Sequence, residues 1–93
     1  MASFTTRVEL HDADWSDYET LHKKMAAQGF TRTITSDGGK RYQMPPAEYN
    51  LEEAITRDQV LARAKTAAGQ VKPSYAVFVT EASGRTWSGL NAA

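Results

Sequence analysis

The residues best suited to chemistry are a histidine and an aspartate that stand side by side near the start of the chain, His11 and Asp12. An imidazole titrates near neutral pH, so His11 can act as a general base. The carboxylate of Asp12 can hold a magnesium ion, which prefers oxygen ligands. Both residues also fit a structural role in a turn, whereas the nearby Asp14 and Asp17 are better explained by helix capping. We treat Asp12 and His11 as candidate catalytic residues, leave a divalent metal open, and expect no small-molecule cofactor.

A second group of residues has the chemistry of RNA binding. The candidates are Arg7, Arg32, Lys40, Arg41 and Tyr42. Positive side chains around a hairpin can neutralise phosphates, and a tyrosine can stack on an unpaired base. The alternative is an ordinary solvated surface of mixed charge.

The composition limits the classes of function. The chain has 93 residues, which is the size of one domain covering residues 1–93, and its 11 basic and 11 acidic residues cancel. Nucleic acid must therefore be bound by a local patch rather than by net charge. The absence of cysteine excludes disulfides and thiolate metal sites. The longest apolar run, 75–79, is too short to span a bilayer, so we expect a cytoplasmic protein without membrane attachment.

The apolar pattern predicts the elements that must position these side chains. Alternation from Phe4 to Leu10 predicts a strand, and apolar residues at helical spacing from Trp15 to Met25 predict a helix that ends near Gly29. The sequence 56–59 has the form of a capping box and predicts the start of a second helix. Further strands are predicted at 30–36, 40–44 and 74–81, with a turn at 37–39 and a connector at 47–55, for which an extended stretch at 48–50 is the alternative.

This order of elements predicts an α+β fold. A chain that runs β-α-β-β-α-β is typical of a two-layer sandwich, in which a four-stranded antiparallel sheet carries both helices on one face.

The last predicted strand is apolar on both sides, which indicates that both of its faces are covered. The cover is either the C-terminal stretch, 82–93, acting as a tail or extra edge element, or a second copy of the chain. We therefore predict a homodimer with Val79 and Trp87 as interface residues. Packing of Trp87 on its own domain is the alternative.

Residues along most of the chain resemble the GhoS-type family, the endoribonuclease antitoxins of type V toxin–antitoxin systems. The resemblance is carried by the sequences 6–12, 29–30, 35–38 and 42–45, by the helix start at 56–59, and by 74–77. It implies a ferredoxin-like fold and a sequence-selective endoribonuclease that cleaves the mRNA of a membrane toxin. In a related dimeric nuclease of CRISPR systems an aspartate ends the first strand, and Asp12 is the matching residue.

Two hypotheses follow. In the first, His11 or Asp12 assists attack at phosphorus in RNA, while Arg32 and Arg41 hold the phosphate. In the second, the protein is a non-catalytic dimeric module that binds a protein or RNA.

Overall fold

A computed structural model describes residues 2–93 of the chain, which form two helices and five strands. In chain order these are β1 (Ala2–Leu10), α1 (Trp15–Ala27), β2 (Thr33–Thr35), β3 (Arg41–Gln43), β4 (Glu48–Glu53), α2 (Arg57–Gly69) and β5 (Tyr75–Ala82). Neither helix of this described part is long and apolar enough to cross a membrane.

The main sheet has three antiparallel strands in the order β4-β1-β5. The first strand is central, and this position was not predicted from the sequence. Its even-numbered residues face the helices and are buried, while the odd-numbered residues lie on the opposite face, which we call the outer face. The buried residues of β1 are Phe4, Thr6, Val8 and Leu10.

The single four-stranded sheet predicted from the sequence is not what the structure has. β2 and β3 form a separate two-stranded hairpin. The hairpin is joined to β4 by one bridge, in which Thr31 and Asn50 exchange two backbone hydrogen bonds of 2.8 Å. The predicted connector at 47–55 contains β4, because Tyr49 and Leu51 alternate with polar residues and pair with β1. Pro45 and Pro46 lack the amide hydrogens needed to continue β3 into the ladder.

Both helices bury one side against the same face of the sheet. Leu21 and Met25 of α1 join the core cluster with Phe4 and Val8 of β1. α2 contributes Val60 and three alanines, Ala64, Ala67 and Ala68. Small side chains let α2 approach β1 and β5 closely, and removing this apolar surface from water is the main stabilising term of the fold.

The helix ends have the local signals that the sequence predicts. Asp14 caps α1 by accepting a hydrogen bond from the backbone N–H of Asp17, and Thr56 caps α2 in the same way with Gln59. Each is a complete capping box. α1 ends just before Gly29, whose φ of +94° places it in the left-handed region that suits a residue without a Cβ.

The tail at 83–93 crosses part of the outer face and returns to the hairpin. The guanidinium of Arg85 donates to Thr5 Oγ1 and to Asn50 Oδ1, both at 2.9 Å. Beyond it, Tyr42 and Trp87 pack edge to face with ring centroids 5.5 Å apart. Two backbone hydrogen bonds then join the last residues to β3, so the chain end adds a short edge element there.

Replacing Arg85 with alanine should release the tail from the sheet and lower the free energy of unfolding by about 1–3 kcal/mol. The reason is that the variant loses two hydrogen bonds from a charged donor and leaves the buried Asn50 amide without that partner. Urea denaturation measures the effect, and the exposed Arg57 at the start of α2 supplies the control variant Arg57→Ala. Equal stability of the two variants would contradict an anchoring role for Arg85.

Candidate active site

His11 lies directly after the central strand. A hydroxyl group lies at one of its ring nitrogens and a carboxylate lies at the other. Nδ1 is 2.8 Å from the hydroxyl oxygen of Ser74, and Nε2 is 3.4 Å from Oε1 of Glu9. The backbone N–H of His11 also donates to the carbonyl of Ser74 at 3.1 Å. These contacts hold an imidazole in place that is still 44% exposed to solvent.

This arrangement can move a proton. When the Nε2–H of a neutral His11 is directed at the Glu9 carboxylate, Nδ1 carries the lone pair and faces a hydroxyl group. A carboxylate in that position stabilises the imidazolium that forms when Nδ1 accepts a proton. Because the ring is exposed, the hydroxyl of a ligand can take the place of the Ser74 hydroxyl.

Asp12 follows His11 in the chain and lies in a turn, with a left-handed φ of +52°. Its side chain is exposed, and within residues 2–93 its carboxylate makes no hydrogen bond or ion pair. By contrast, Asp14 caps α1 and Asp17 forms an ion pair of 3.3 Å with Lys72. In the part of the chain that the structure describes, no three His, Cys, Asp or Glu side chains are grouped so that they could hold a metal ion.

Two of the candidate RNA-binding cations lie together on the hairpin. Lys40 Nζ is 5.4 Å from the centre of the Tyr42 ring, which is a cation–π distance. Arg41 donates from Nη2 to Thr33 Oγ1 at 3.3 Å and is otherwise exposed. With Trp87 packed on Tyr42, the hairpin combines two positive charges with two aromatic rings.

The other two cations lie elsewhere, so the predicted basic residues do not form one patch. Arg7 is on the outer face of β1, where it pairs across the sheet with Phe78 of β5. Arg32 lies beside His22 and Tyr49, and its Nε is buried with no hydrogen-bond partner among the described residues. The expectation that Arg32 and Arg41 jointly hold a phosphate next to His11 therefore has no support in these contacts.

The second histidine, His22, is half-buried and contacts the core rather than the candidate site. The hydroxyl oxygen of the buried Tyr49 is hydrogen-bonded to His22 Nδ1 at 2.6 Å. Burial raises the pKa of the Tyr49 phenol well above its usual value. Burial, followed by the charge of Arg32, lowers the pKa of His22 below 6.5. His22 is therefore held neutral in its hydrogen bond with Tyr49.

Protonation of His22 should destabilise the fold at mildly acidic pH. Its folded pKa is lower than its unfolded value of 6.5, so the stability it contributes is complete above pH 6.5 and is lost as the pH falls toward the folded pKa. We expect the urea midpoint to fall between about pH 7.5 and about pH 5.5. The decrease should be smaller in His22→Asn, whose amide oxygen can accept from Tyr49 without titrating. An identical decrease in both proteins would show that other groups cause it.

The two predicted interface residues have contacts within the chain. Val79 is on the helix side of β5 and packs against the core cluster. Trp87 packs on Tyr42, which is the alternative raised by the sequence. Their role between two copies of the chain stays a prediction.

The structure also brings forward three residues that sequence reasoning missed, namely Glu9, Ser74 and Phe78. Ser74 comes next to His11 because β1 and β5 pair antiparallel with Leu10 opposite Tyr75. That register was the missing signal, since a lone serine before a strand has no distinctive pattern. Glu9 was hidden in an alternating strand, where exposed charges are ordinary.

Comparison with known proteins adds no relative to this picture. No protein-family model matches the chain, and no curated protein matches it in sequence.

Proposed function

We propose that this protein is a GhoS-type endoribonuclease that cleaves single-stranded RNA, with His11 as the general base. The observation that carries the proposal is the exposed imidazole of His11, held between the Glu9 carboxylate and the Ser74 hydroxyl. The resemblance of the sequence to the GhoS-type family supplies RNA as the substrate. The fold offers the site a rigid support, because His11 follows the central strand of the sheet.

The chemistry is a transesterification in which the protein supplies the base and solvent water supplies the proton for the leaving group. Nδ1 of neutral His11 removes the proton from a ribose 2′-hydroxyl, and the 2′-oxygen attacks the adjacent phosphorus. The bond from phosphorus to the 5′-oxygen of the next nucleotide breaks, and that oxygen takes a proton from water. The products are a 2′,3′-cyclic phosphate and a 5′-hydroxyl. Glu9 stabilises the imidazolium, and the negative charge of Asp12 adds to that field.

Lys40 and Arg41 fit a supporting role in this scheme. They lie on the hairpin and not beside His11, so they would bind flanking phosphates and not the phosphate that is cleaved. Such contacts are independent of base sequence and weaken as salt is added.

The proposal extends to the fold and the cellular role. Counting the Thr31–Asn50 bridge, the strands follow the order β5-β1-β4-β2, with two helices on one face and β3 as an addition. We propose that this is a ferredoxin-like domain. The resemblance further supports a homodimer in the cytoplasm that acts on the mRNA of a membrane toxin.

The chemical form of the cleaved ends tests this function. Purified protein should cut single-stranded, AU-rich RNA and leave 2′,3′-cyclic phosphate ends, even with a chelator present. A substrate with a 2′-deoxyribose at the cleaved position should remain intact. Ends carrying a 5′-phosphate would show that water, and not the 2′-hydroxyl, attacks the phosphorus. The principal catalytic role would then belong to Asp12 with a metal ion. Intact RNA in every reaction would reject the nuclease function.

A further inference from the structure

The outer face of the sheet has one half that the tail covers and one half that is open. Arg85 of the tail contacts Thr5 and Asn50, which lie on the β4 side of that face. On the β5 side, Phe78 is 70% exposed although it belongs to a regular strand. A phenylalanine left in water costs the free energy that its burial would have gained. A single exposed ring is common on protein surfaces, so the side chains around Phe78 decide whether it contacts a ligand.

The residues around Phe78 form a small groove of about 260 Å³. Arg7 lies directly across the strand pair from Phe78, and Glu9 lies across from Ala76. The small side chain of Ala76 leaves space beside the ring, so its face is accessible from solvent. Sites for drug-sized molecules begin at about 300 Å³, so this groove suits a smaller flat group.

We infer that this groove binds one unpaired base of single-stranded RNA, with the base stacked on Phe78 and the neighbouring phosphate on Arg7. This inference rests on the proposed function for the identity of its ligand. Stacking on an exposed aromatic side chain is how proteins hold unpaired bases, and it requires no particular base. Glu9 repels phosphate and accepts hydrogen bonds from amino groups. The charges of the groove therefore direct the phosphate to Arg7 and the base to the opposite side.

The position of the groove links it to His11. Residues of one strand that are two apart lie about 6.7 Å apart, and Arg7, Glu9 and His11 follow one another at that spacing. Phe78 is opposite Arg7, so the stacked base lies about 13 Å along β1 from the imidazole. An extended strand of RNA bridges that distance with a few nucleotides. Phe78 thus holds the RNA at a distance from the cleaved bond.

A second copy of the chain fits this face less well than RNA does. A stable protein interface buries about 800 Å² on each partner. The tail already contacts the β4 side of the outer face, and the groove on the open side has a volume of only about 260 Å³. Arg7 and Glu9 would also lose water at such an interface.

The test measures RNA binding in a protein that cannot cleave. In the His11→Ala background, Phe78→Ala should weaken the affinity for a labelled single-stranded RNA by about tenfold, because stacking stabilises the complex by about 1–3 kcal/mol per base. Phe78→Trp should restore binding, and Phe78→Leu should not, since leucine is apolar without a ring face. Thr80→Ala, on the same face of β5, is the matched control and should bind like the parent protein.

Each alternative outcome overturns a different statement. If Phe78→Leu and Phe78→Trp bind the RNA with equal affinity, stacking does not explain the binding and this inference is rejected. A dimer that sediments intact but dissociates on Phe78→Ala would assign the groove to a second copy. If RNA binding depends on Phe78 while the wild-type protein leaves RNA uncut, RNA binding at the groove is supported and the nuclease function is rejected. If Phe78→Ala binds and cuts RNA as well as the wild-type protein does, only the inference about the groove is rejected.

Discussion

Replacing His11 with alanine should slow RNA cleavage by about two to four orders of magnitude while leaving the protein folded. A positioned general base contributes a factor of that size, and no other group of the site takes over the proton. The imidazole is 44% exposed, and its side-chain contacts are with Ser74 and Glu9, so its loss removes little buried surface. Single-turnover cleavage of a labelled RNA measures the rate, and circular dichroism verifies the fold.

The chain contains a matched control for this experiment, because it has only one other histidine. His22→Asn removes that imidazole from the core contact with Tyr49 and should cleave at nearly the wild-type rate at neutral pH. The pH profile separates catalysis from structure. A general base must be unprotonated to act, so the part of the wild-type pH dependence that this base causes should be missing from His11→Ala. A variant that keeps both the rate and the profile would refute the role of His11.

Replacing Phe4 with alanine should reduce the free energy of unfolding by about 3–5 kcal/mol. Phe4 is fully buried on the central strand, where both helices and both neighbouring strands contribute to the cluster around it. Removing the ring forfeits its transfer free energy and leaves a cavity that a rigid sheet fills poorly. Domains of this size are stable by about 5–15 kcal/mol, so the loss is a large share of the total. Urea denaturation measures it directly.

Phe78→Ala is the matched control for that measurement. It makes the same chemical change on β5, at a side chain that is 70% exposed, and should alter stability by no more than about 0.5 kcal/mol. If the two variants lost equal stability, burial would not be the cause. A loss confined to Phe4→Ala would locate the core on the helix side of β1.

Features formed by residues that are close together in the chain could be predicted from the sequence, and pairings between distant residues could not. The capping boxes at Asp14 and Thr56 and the helix end before Gly29 were predictable because each is formed by residues within a few positions of one another. The alternation of β1 was equally local. The segment containing β4 was predicted as a connector, since two prolines precede it and six residues give a weak pattern.

In the candidate site, too, some residues could be identified from the sequence and others only from the structure. His11 and Asp12 could be singled out by their side-chain chemistry, but Glu9 and Ser74 became relevant only through a contact and a strand register. The predicted basic residues do not form one patch, because Arg32 lies on the helix side of the sheet and Arg7 lies on its outer face. Sequence proximity to a hairpin does not decide the face on which a side chain lies.

The sequence by itself determined the α+β class, the helix boundaries and the alternation of the first strand, because local backbone preferences and apolar periodicity suffice for these. Only the tertiary structure decided that β4 is the partner of β1, that the hairpin stands apart, and that Ser74 meets His11. Pairing joins residues that are tens of positions apart, and its free energy depends on burying one shared apolar face. No short segment contains that information, since many pairings satisfy the same local pattern and only the complete core selects one.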